Sequence, residues 1–471
     1  MHLNQEVRAY FDTQASARLS WRRRNNYYHD SLESFIGFLV PRRSSVLHIG
    51  ADSPSLLNLL APEQGLGIHA SAQMIEQVHR QGILPGLSFK HMELSDVEDT
   101  FEYAIISDIL GYVDDIEALL RETGERISWH GRIVITQYNA LWEPILRLAS
   151  TLGLRMPSRL QNWVSRSDIE NFAHLAGLEV IRSGTRMIFP KHIPFVSTFF
   201  NAYLANIFPF TRLGLYHYVV LRKQDTHSPI SRPSLSIVVP ARNEAGMIER
   251  IVRELPTLGA FTELIFIEGH SKDNTWEEIQ RVAEKYRAEK RILIAQQEGK
   301  GKGDAVRKGF DMATGDILTI YDADMTVPAP DVEKFYRALV EGRGDFINGS
   351  RLVYPLEKES MRFLNLLGNK FFSLAFSWLL NSRLKDTLCG TKMLWREDYK
   401  QIQAGREFFG DFDPFGDFDL LFGATKLNCK IVDMPVHYKE RTYGETNIQR
   451  WSHGWLLLKM TVFAMRKVKF I

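Results

Sequence analysis

Two carboxylates close a short apolar run in the second half of the chain. Residues 317–321 have the make-up of a buried strand, follow the turn signal Thr314-Gly315-Asp316, and lead into Asp322-Ala323-Asp324. Acids at i and i+2 share one face of a strand, and at its end they can converge on one hard cation such as Mg²⁺ or Mn²⁺. Open α/β sheets bind ligands beyond the carboxyl ends of their strands, so an acid pair there suits a metal that holds a substrate's phosphates. By itself Asp-x-Asp also describes a turn with two solvated acids, and its surroundings must decide.

A second candidate precedes it. The run Glu298-Gly299-Lys300-Gly301-Lys302-Gly303 matches neither the P-loop nor the G-x-G-x-x-G pattern. It still sets backbone N–H groups and the ammonium groups of Lys300 and Lys302 before a helical segment, residues 304–312. The positive end of a helix suits an anion, which singles out Lys302 and Gly303. A flexible basic turn is the plainer reading of the same run.

These residues need a scaffold. In the second half, strands at 235–239, 264–268, 292–295 and 317–321 alternate with helices at 247–255, 276–286 and 304–312. In the first half, strands at 45–51, 66–70, 103–110 and 132–137 alternate with helical stretches, and extended runs at 179–189 and 215–222 close it. Such alternation predicts an α/β chain with two doubly wound domains. The polar stretch 222–233, with Pro229 and Pro233, is the clearest boundary. We expect a first domain at 1–223, a linker at 224–233, a second domain at 234–450, and an amphipathic basic tail at 451–471.

Composition narrows the function. The 471 residues carry 45% hydrophobic and 24% charged side chains with a net charge of +2, ordinary for globular domains and no pointer to nucleic acid. Cys389 and Cys429 form neither a disulfide framework nor a metal spacing, and suit buried positions in a reducing compartment. The opening residues lack the apolar core of a signal peptide, and no apolar run is long enough to span a bilayer. A cytoplasmic protein follows as the expectation. The apolar run 364–380 suits burial, and the aromatic stretch 190–214 and the tail, with Arg466, Lys467 and Lys469, are each candidates for peripheral membrane contact or for ordinary core.

The motifs of the second half, in order, are VVPARNEAG, FIEGHSKDNT, GKGKGDAVRKG and ATGDILTIYDAD. Together they resemble the nucleotide-sugar half of a family 2 glycosyltransferase with the GT-A fold, in the subgroup of polyprenyl-phosphate (dolichyl-phosphate) mannose synthase-like enzymes. The resemblance runs from about residue 235 to 447. It implies that Pro240, Ala241, Arg242, Asn243, Glu244, Glu268, Lys302, Gly303 and Asp322 bind the nucleotide sugar, and that Asp322 and Asp324 bind Mg²⁺ or Mn²⁺. The family's V-D-D-G-S-x-D-x-T motif reads Ile267-Glu268-Gly269-His270-Ser271-Lys272-Asp273-Asn274-Thr275 here, so one acid becomes Gly269 and a glycine becomes His270. The segment Arg441-Thr-Tyr-Gly444-Glu-Thr-Asn447 resembles R-x-x-G-x-S-K, which gives Arg441 a role at the leaving diphosphate. Asp386-Thr-Leu-Cys-Gly390-Thr-Lys392 resembles the acceptor turn, with Lys392 as the basic residue. Asp417 and Asp419 lie where the family often has an acid. A hydroxyl acceptor needs a general base, for which Asp419 is the choice; a phosphate acceptor needs none. The resemblance implies an inverting hexosyltransferase of bacterial type acting on a polyprenyl phosphate or another membrane lipid.

The first half carries VLHIGADSPSLL, GLGIHASAQMIEQV, FEYAIISDILGYVDD and GRIVITQYN, which resemble the core of class I S-adenosylmethionine-dependent methyltransferases over about residues 20–223. Its implied cofactor residues are Gly50, His69 and Asp108. The glycine-rich loop of that family has become Gly50-Ala51-Asp52-Ser53-Pro54, and His69 stands where an acid binds the ribose. One expectation is a glycosyltransferase with a degenerate first domain. The alternatives are a bifunctional enzyme that methylates and glycosylates one glycan or lipid, and a non-catalytic membrane-associated scaffold.

Overall fold

The computed structural model describes residues 3–158, 161–224, 228–351, 353, 363–408, 417–439 and 450–470. The chain forms two compact units, Met1–Thr226 with Lys469–Ile471, and His227–Val468.

The strands of the first unit are β1 (Ser45–Ile49), β2 (Gln64–His69), β3 (Leu87–His91), β4 (Phe101–Ser107), β5 (Ile127–Tyr138), β6 (Leu178–Arg186) and β7 (Tyr216–Lys223), in the order β3-β2-β1-β4-β5-β7-β6. β1 to β5 are parallel, and β7 runs antiparallel to both β5 and β6. β3 was not expected from the sequence. It is an edge strand in which only Phe89 is buried, so it has neither an apolar run nor a full alternation to betray it.

Alternation along the central strands builds a core on each face. Leu47, Ile49, Ala104 and Ile106 point to one side, and Val46, Ile105 and Val134 to the other. The leading helix α1 (Gln5–Arg24) is N-capped by Asn4 and buries Val7, Phe11 and Ala15, four residues apart, on the first side. Helix α2 (Asn26–Leu39) buries Tyr28, Leu32, Phe35, Ile36 and Leu39 on the second. The leading residues therefore clasp the sheet across both faces.

The second unit contains β8 (Leu235–Ala241), β9 (Thr262–Glu268), β10 (Arg291–Gln296), β11 (Ile317–Ile320), β12 (Phe346–Ser350), β13 (Lys392–Trp395) and β14 (Ile431–Pro435), in the order β10-β9-β8-β11-β13-β12-β14. β8 to β11 are parallel; β13 is antiparallel to β11 and β12, and β14 is parallel to β12. The order reverses between β8 and β11, which makes their carboxyl ends the expected ligand crevice. Helix α3 (Phe363–Leu380) and helix α4 (Arg450–Ala464) pack on each other. No helix among the described residues is long and apolar enough to cross a membrane.

Candidate active site

The crevice of the second unit is assembled by three strand ends. At the end of β8, Pro240 is half-buried and Ala241 buried; beyond it Arg242 is exposed and Asn243 takes a left-handed φ of 56°. That turn is tied to the end of β9: Asn243 N–H donates to Ser271 Oγ at 3.0 Å, Lys272 N–H to Asn243 Oδ1 at 2.7 Å, and Glu244 N–H to Thr275 Oγ1 at 3.0 Å. Glu268 is buried. Burial raises its pKa, but Ser271 and the Gln296 amide, which donates at 3.0 Å, more than offset this and leave it below the usual value. The two departures in this motif have structural reasons. Gly269 lies against Arg242, where a Cβ would meet the Arg242 Cβ at 3.3 Å. His270 keeps the positive φ, 55°, that a glycine would adopt there, and its Nε2 lies 3.2 Å from the Gly299 carbonyl oxygen.

The glycine-lysine run enters the same crevice. Gly301 has a φ of 89° and lies just ahead of the helix Lys302–Met312, with no side-chain cap on that helix end. Lys302, the first helical residue, places Nζ 2.6 Å from Asp322 Oδ1. Gly390 closes over this pair so tightly that a Cβ would lie 2.2 Å from both Lys302 Nζ and Asp322 Oδ2. Burial pushes the Asp322 pKa up, but Lys302, then Lys392 and Arg351, prevail and hold it below the usual carboxylate range. Asp324 Oδ1 accepts from Thr326 N–H at 3.1 Å and Thr326 Oγ1 at 2.9 Å, which locks the turn after β11. The acid pair thus stands at the switch point with a lysine and a helix N-terminus beside it. Among the described residues no group of three or more His, Cys, Asp or Glu side chains could hold a metal by themselves. Two carboxylates suit a cation whose other ligands are substrate phosphate oxygens.

The acceptor-side residues fall less simply. Lys392 opens β13, is wholly buried, and donates through Nζ to the Cys389 carbonyl at 2.5 Å. It braces the Asp386–Gly390 turn from beneath, so its ammonium is not offered at the surface. Asp419 is buried and accepts from Arg406 Nε at 2.9 Å. Arg441 and the side chain of Asp417 lie outside the described residues. Two residues not singled out from the sequence enter here. Arg351, at the end of β12, grips Asp386 with both ends of its guanidinium (2.8 and 2.9 Å) and sits 5.2 Å from the ring centre of Tyr438. The backbone at Lys439 donates to Thr326 O at 2.9 Å, which brings this segment beside the acid pair. β12 reads Phe346-Ile-Asn-Gly-Ser350, with only two apolar residues, so no local signal marked Arg351.

In the first unit, Gly50, His69 and Asp108 do gather at the carboxyl ends of β1, β2 and β4. Gly50 has a φ of 81°, and a Cβ there would lie 3.1 Å from the Ile109 Cβ. His69 Nδ1 accepts from Ser71 N–H at 2.9 Å, and burial pushes its pKa down to about 3, so the ring is neutral. Asp108 has a φ of 54° and accepts from Tyr28 Oη at 2.8 Å; burial raises its pKa to about 6. The family's cofactor does not fit here. Arg18 of α1 donates to Asp52 at 2.6 Å, the Phe11 ring stands edge-on to His69 at 5.0 Å, and the remaining cavity measures about 40 Å³. Sites for ligands of this size measure about 300–1,000 Å³.

Fold and site define a chain that joins a methyltransferase-like domain to a glycosyltransferase domain. Residues 20–183 match the methyltransferase domain family and residues 236–402 match glycosyl transferase family 2. Among similar curated proteins, human dolichyl-phosphate beta-glucosyltransferase is 29% identical over 254 residues, 49% of this chain and 74% of that protein. Dolichol-phosphate mannosyltransferase of Pyrococcus furiosus is 30% identical over 220 residues, 46% of this chain and 59% of its own. Glycosyltransferase AglD of Haloferax volcanii is 27% identical over 226 residues, 45% of this chain and 34% of its own. Each thus matches about half of this chain, which spans between about a third and three-quarters of their lengths.

Proposed function

We propose that the second unit is an inverting hexosyltransferase that moves a sugar from a nucleotide sugar to a lipid phosphate such as polyprenyl phosphate. The observation that carries this reading is the Asp322–Lys302 pair beside Asp324 at the switch point of the sheet. A phosphate oxygen of the acceptor attacks the anomeric carbon as the bond to the diphosphate oxygen breaks, and the nucleoside diphosphate departs with the charge. Lys302 and the backbone N–H groups after Gly301 face that charge where it develops. Asp324, with Asp322, would hold Mg²⁺ or Mn²⁺ against the diphosphate, and the cation supplies charge neutralisation there. Pro240 to Glu244 and Glu268 line the side on which the base and ribose would sit.

A phosphate acceptor is ionised near neutral pH and needs no general base. The ion pair of Asp419 with Arg406 fits that reading better than a base poised to take a proton. Arg351 is the cation we assign to the acceptor phosphate side, in place of buried Lys392. The lipid acceptor also accounts for two outward apolar stripes. Helix α3 exposes Phe371, Leu374 and Trp378, and helix α4 exposes Trp455, Leu458 and Val462, with Lys459 beside Trp455. We place these stripes against the membrane surface. The test is calorimetric titration with UDP, GDP and their sugar conjugates, with and without Mn²⁺. Metal-dependent binding of one sugar nucleotide that disappears in Asp324→Ala supports the reading. A folded protein that binds none of them fits the scaffold alternative instead.

A further inference from the structure

We propose that the methyltransferase-like unit holds no S-adenosylmethionine: helix α1 fills the cofactor cleft, and a half-buried ion pair between Arg18 and Asp52 locks it there. Three contacts cover the three expected cofactor positions. At the loop after β1, where the family uses glycine so that the cofactor can approach the backbone, Asp52 receives Arg18 Nε at 2.6 Å. Arg22 supports the pair: its Nη1 lies 3.5 Å from Asp52 Oδ1, and its Nη2 donates to Glu33 and, at 2.7 Å, to Ser55 Oγ. At the end of β2, wholly buried Phe11 occupies the ribose side of His69. At the end of β4, Tyr28 of α2 takes Asp108 Oδ2.

What remains is a cavity of about 40 Å³ between Arg18, Arg22, His48, Asp52 and Asp108. Its volume suits a few waters, and the buried His48 Nδ1 and Asp108 Oδ1 atoms, which have no protein partner, are the groups such waters would serve. Admitting a cofactor would require α1 to leave, which unpairs two half-buried charges and strips Phe11 and Ala15 from the core. Even then His69 could offer a ribose only one acceptor or donor atom, because its Nδ1 is engaged by Ser71. The substitution of glycine by Asp52 and the arginine facing it make one device. The cleft has become a joint that pins the two leading helices to the sheet.

This inference does not rest on the glycosyltransferase reading, and its test is separate. Full-length protein purified from cells is denatured, and released S-adenosylmethionine and S-adenosylhomocysteine are measured by mass spectrometry. The intact protein is also titrated with both compounds by calorimetry. Neither compound in the extract, and no heat of binding, is the expected result. Stoichiometric ligand, or a dissociation constant below about 100 µM, overturns it. The lock is tested by Arg18→Ala, Asp52→Ala and the double variant. Each single change lowers the thermal midpoint by several degrees, and the double lowers it hardly further than either alone. Strictly additive losses, or single variants that gain S-adenosylmethionine binding without a fall in midpoint, overturn the lock.

Discussion

At the scale of single residues, environment matters more than residue type. Asp108 lies among Tyr28, Tyr138, Arg18, Asp52 and Arg155, and burial raises its pKa to about 6. An acid whose folded pKa exceeds its unfolded value binds its proton more tightly when folded, so stability falls as pH rises from about 4 to 6. The imidazoles of half-buried His29 and of buried His48 and His69, pushed down by desolvation to about 3 to 4, act in the opposite sense, since stability falls as pH drops below 6.5. A difference measurement separates the two. The midpoint of Asp108→Asn minus that of wild type is expected to rise between pH 4 and pH 7, by scanning calorimetry; a flat difference would rule out a raised Asp108. In the second unit, Lys302→Met removes the ammonium from both Asp322 and the diphosphate site. Donor affinity is expected to fall at least about tenfold in a titration, on the scale of one charge-assisted contact. Unchanged affinity would place Lys302 outside the site. The acid pair and the lysine run were legible because their types and order survive in sequence. Arg351 was not, because its importance lies in gripping Asp386, thirty-five positions away. The burial of Lys392 was hidden for a related reason: nothing local marks the residue as the first of an interior antiparallel strand.

At the scale of elements, the long alternating segments announced themselves and the short or exposed ones did not. β8, β9 and β11 are apolar runs bounded by turn residues, and the sequence places them within a residue or two. β3 and β13 have five and four residues and take their identity from neighbours rather than from their own pattern. The tail shows the same limit. Its sequence reads as one amphipathic basic segment, but α4 ends at Ala464, and Lys469 is buried near Arg182 and Arg186, with its pKa pushed down to about 8 by burial and then by those two cations. Lys469 therefore does not serve an anionic surface. The exposed stripes of α3 and α4 are a different matter, since Leu374 is 73% and Trp455 60% exposed. Flotation with vesicles containing anionic lipid is expected to carry the wild-type chain and to lose most of it in Leu374→Ser/Trp455→Ser. Equal flotation of both proteins would move the membrane contact elsewhere. One alternative is the 190–214 stretch, where Phe195 and Phe208 are 89% and 76% exposed in turns that flank short helical segments.

At the scale of the whole molecule, each unit has its own seven-stranded sheet and its own set of buried side chains. Two cores of this size unfold as separate cooperative transitions unless the contacts between them rival those within them. The chemistry is divided in the same way. The second unit keeps the acids, lysine and helix N-terminus that a diphosphate needs, and the first has filled the corresponding crevice with its own helix. Perturbations should therefore be addressed to one transition at a time. Asp52→Asn leaves half-buried Arg18 without its counter-charge, and is expected to lower one calorimetric transition by a few degrees while the other stays in place. A saturating sugar nucleotide with Mn²⁺ is expected to raise the other transition. At about a hundred times its dissociation constant it adds about 2.7 kcal/mol, which for a domain of this length is roughly 5–10 °C. S-adenosylmethionine is expected to move neither. If Asp52→Asn and the sugar nucleotide displaced the same transition, the two units would unfold as one.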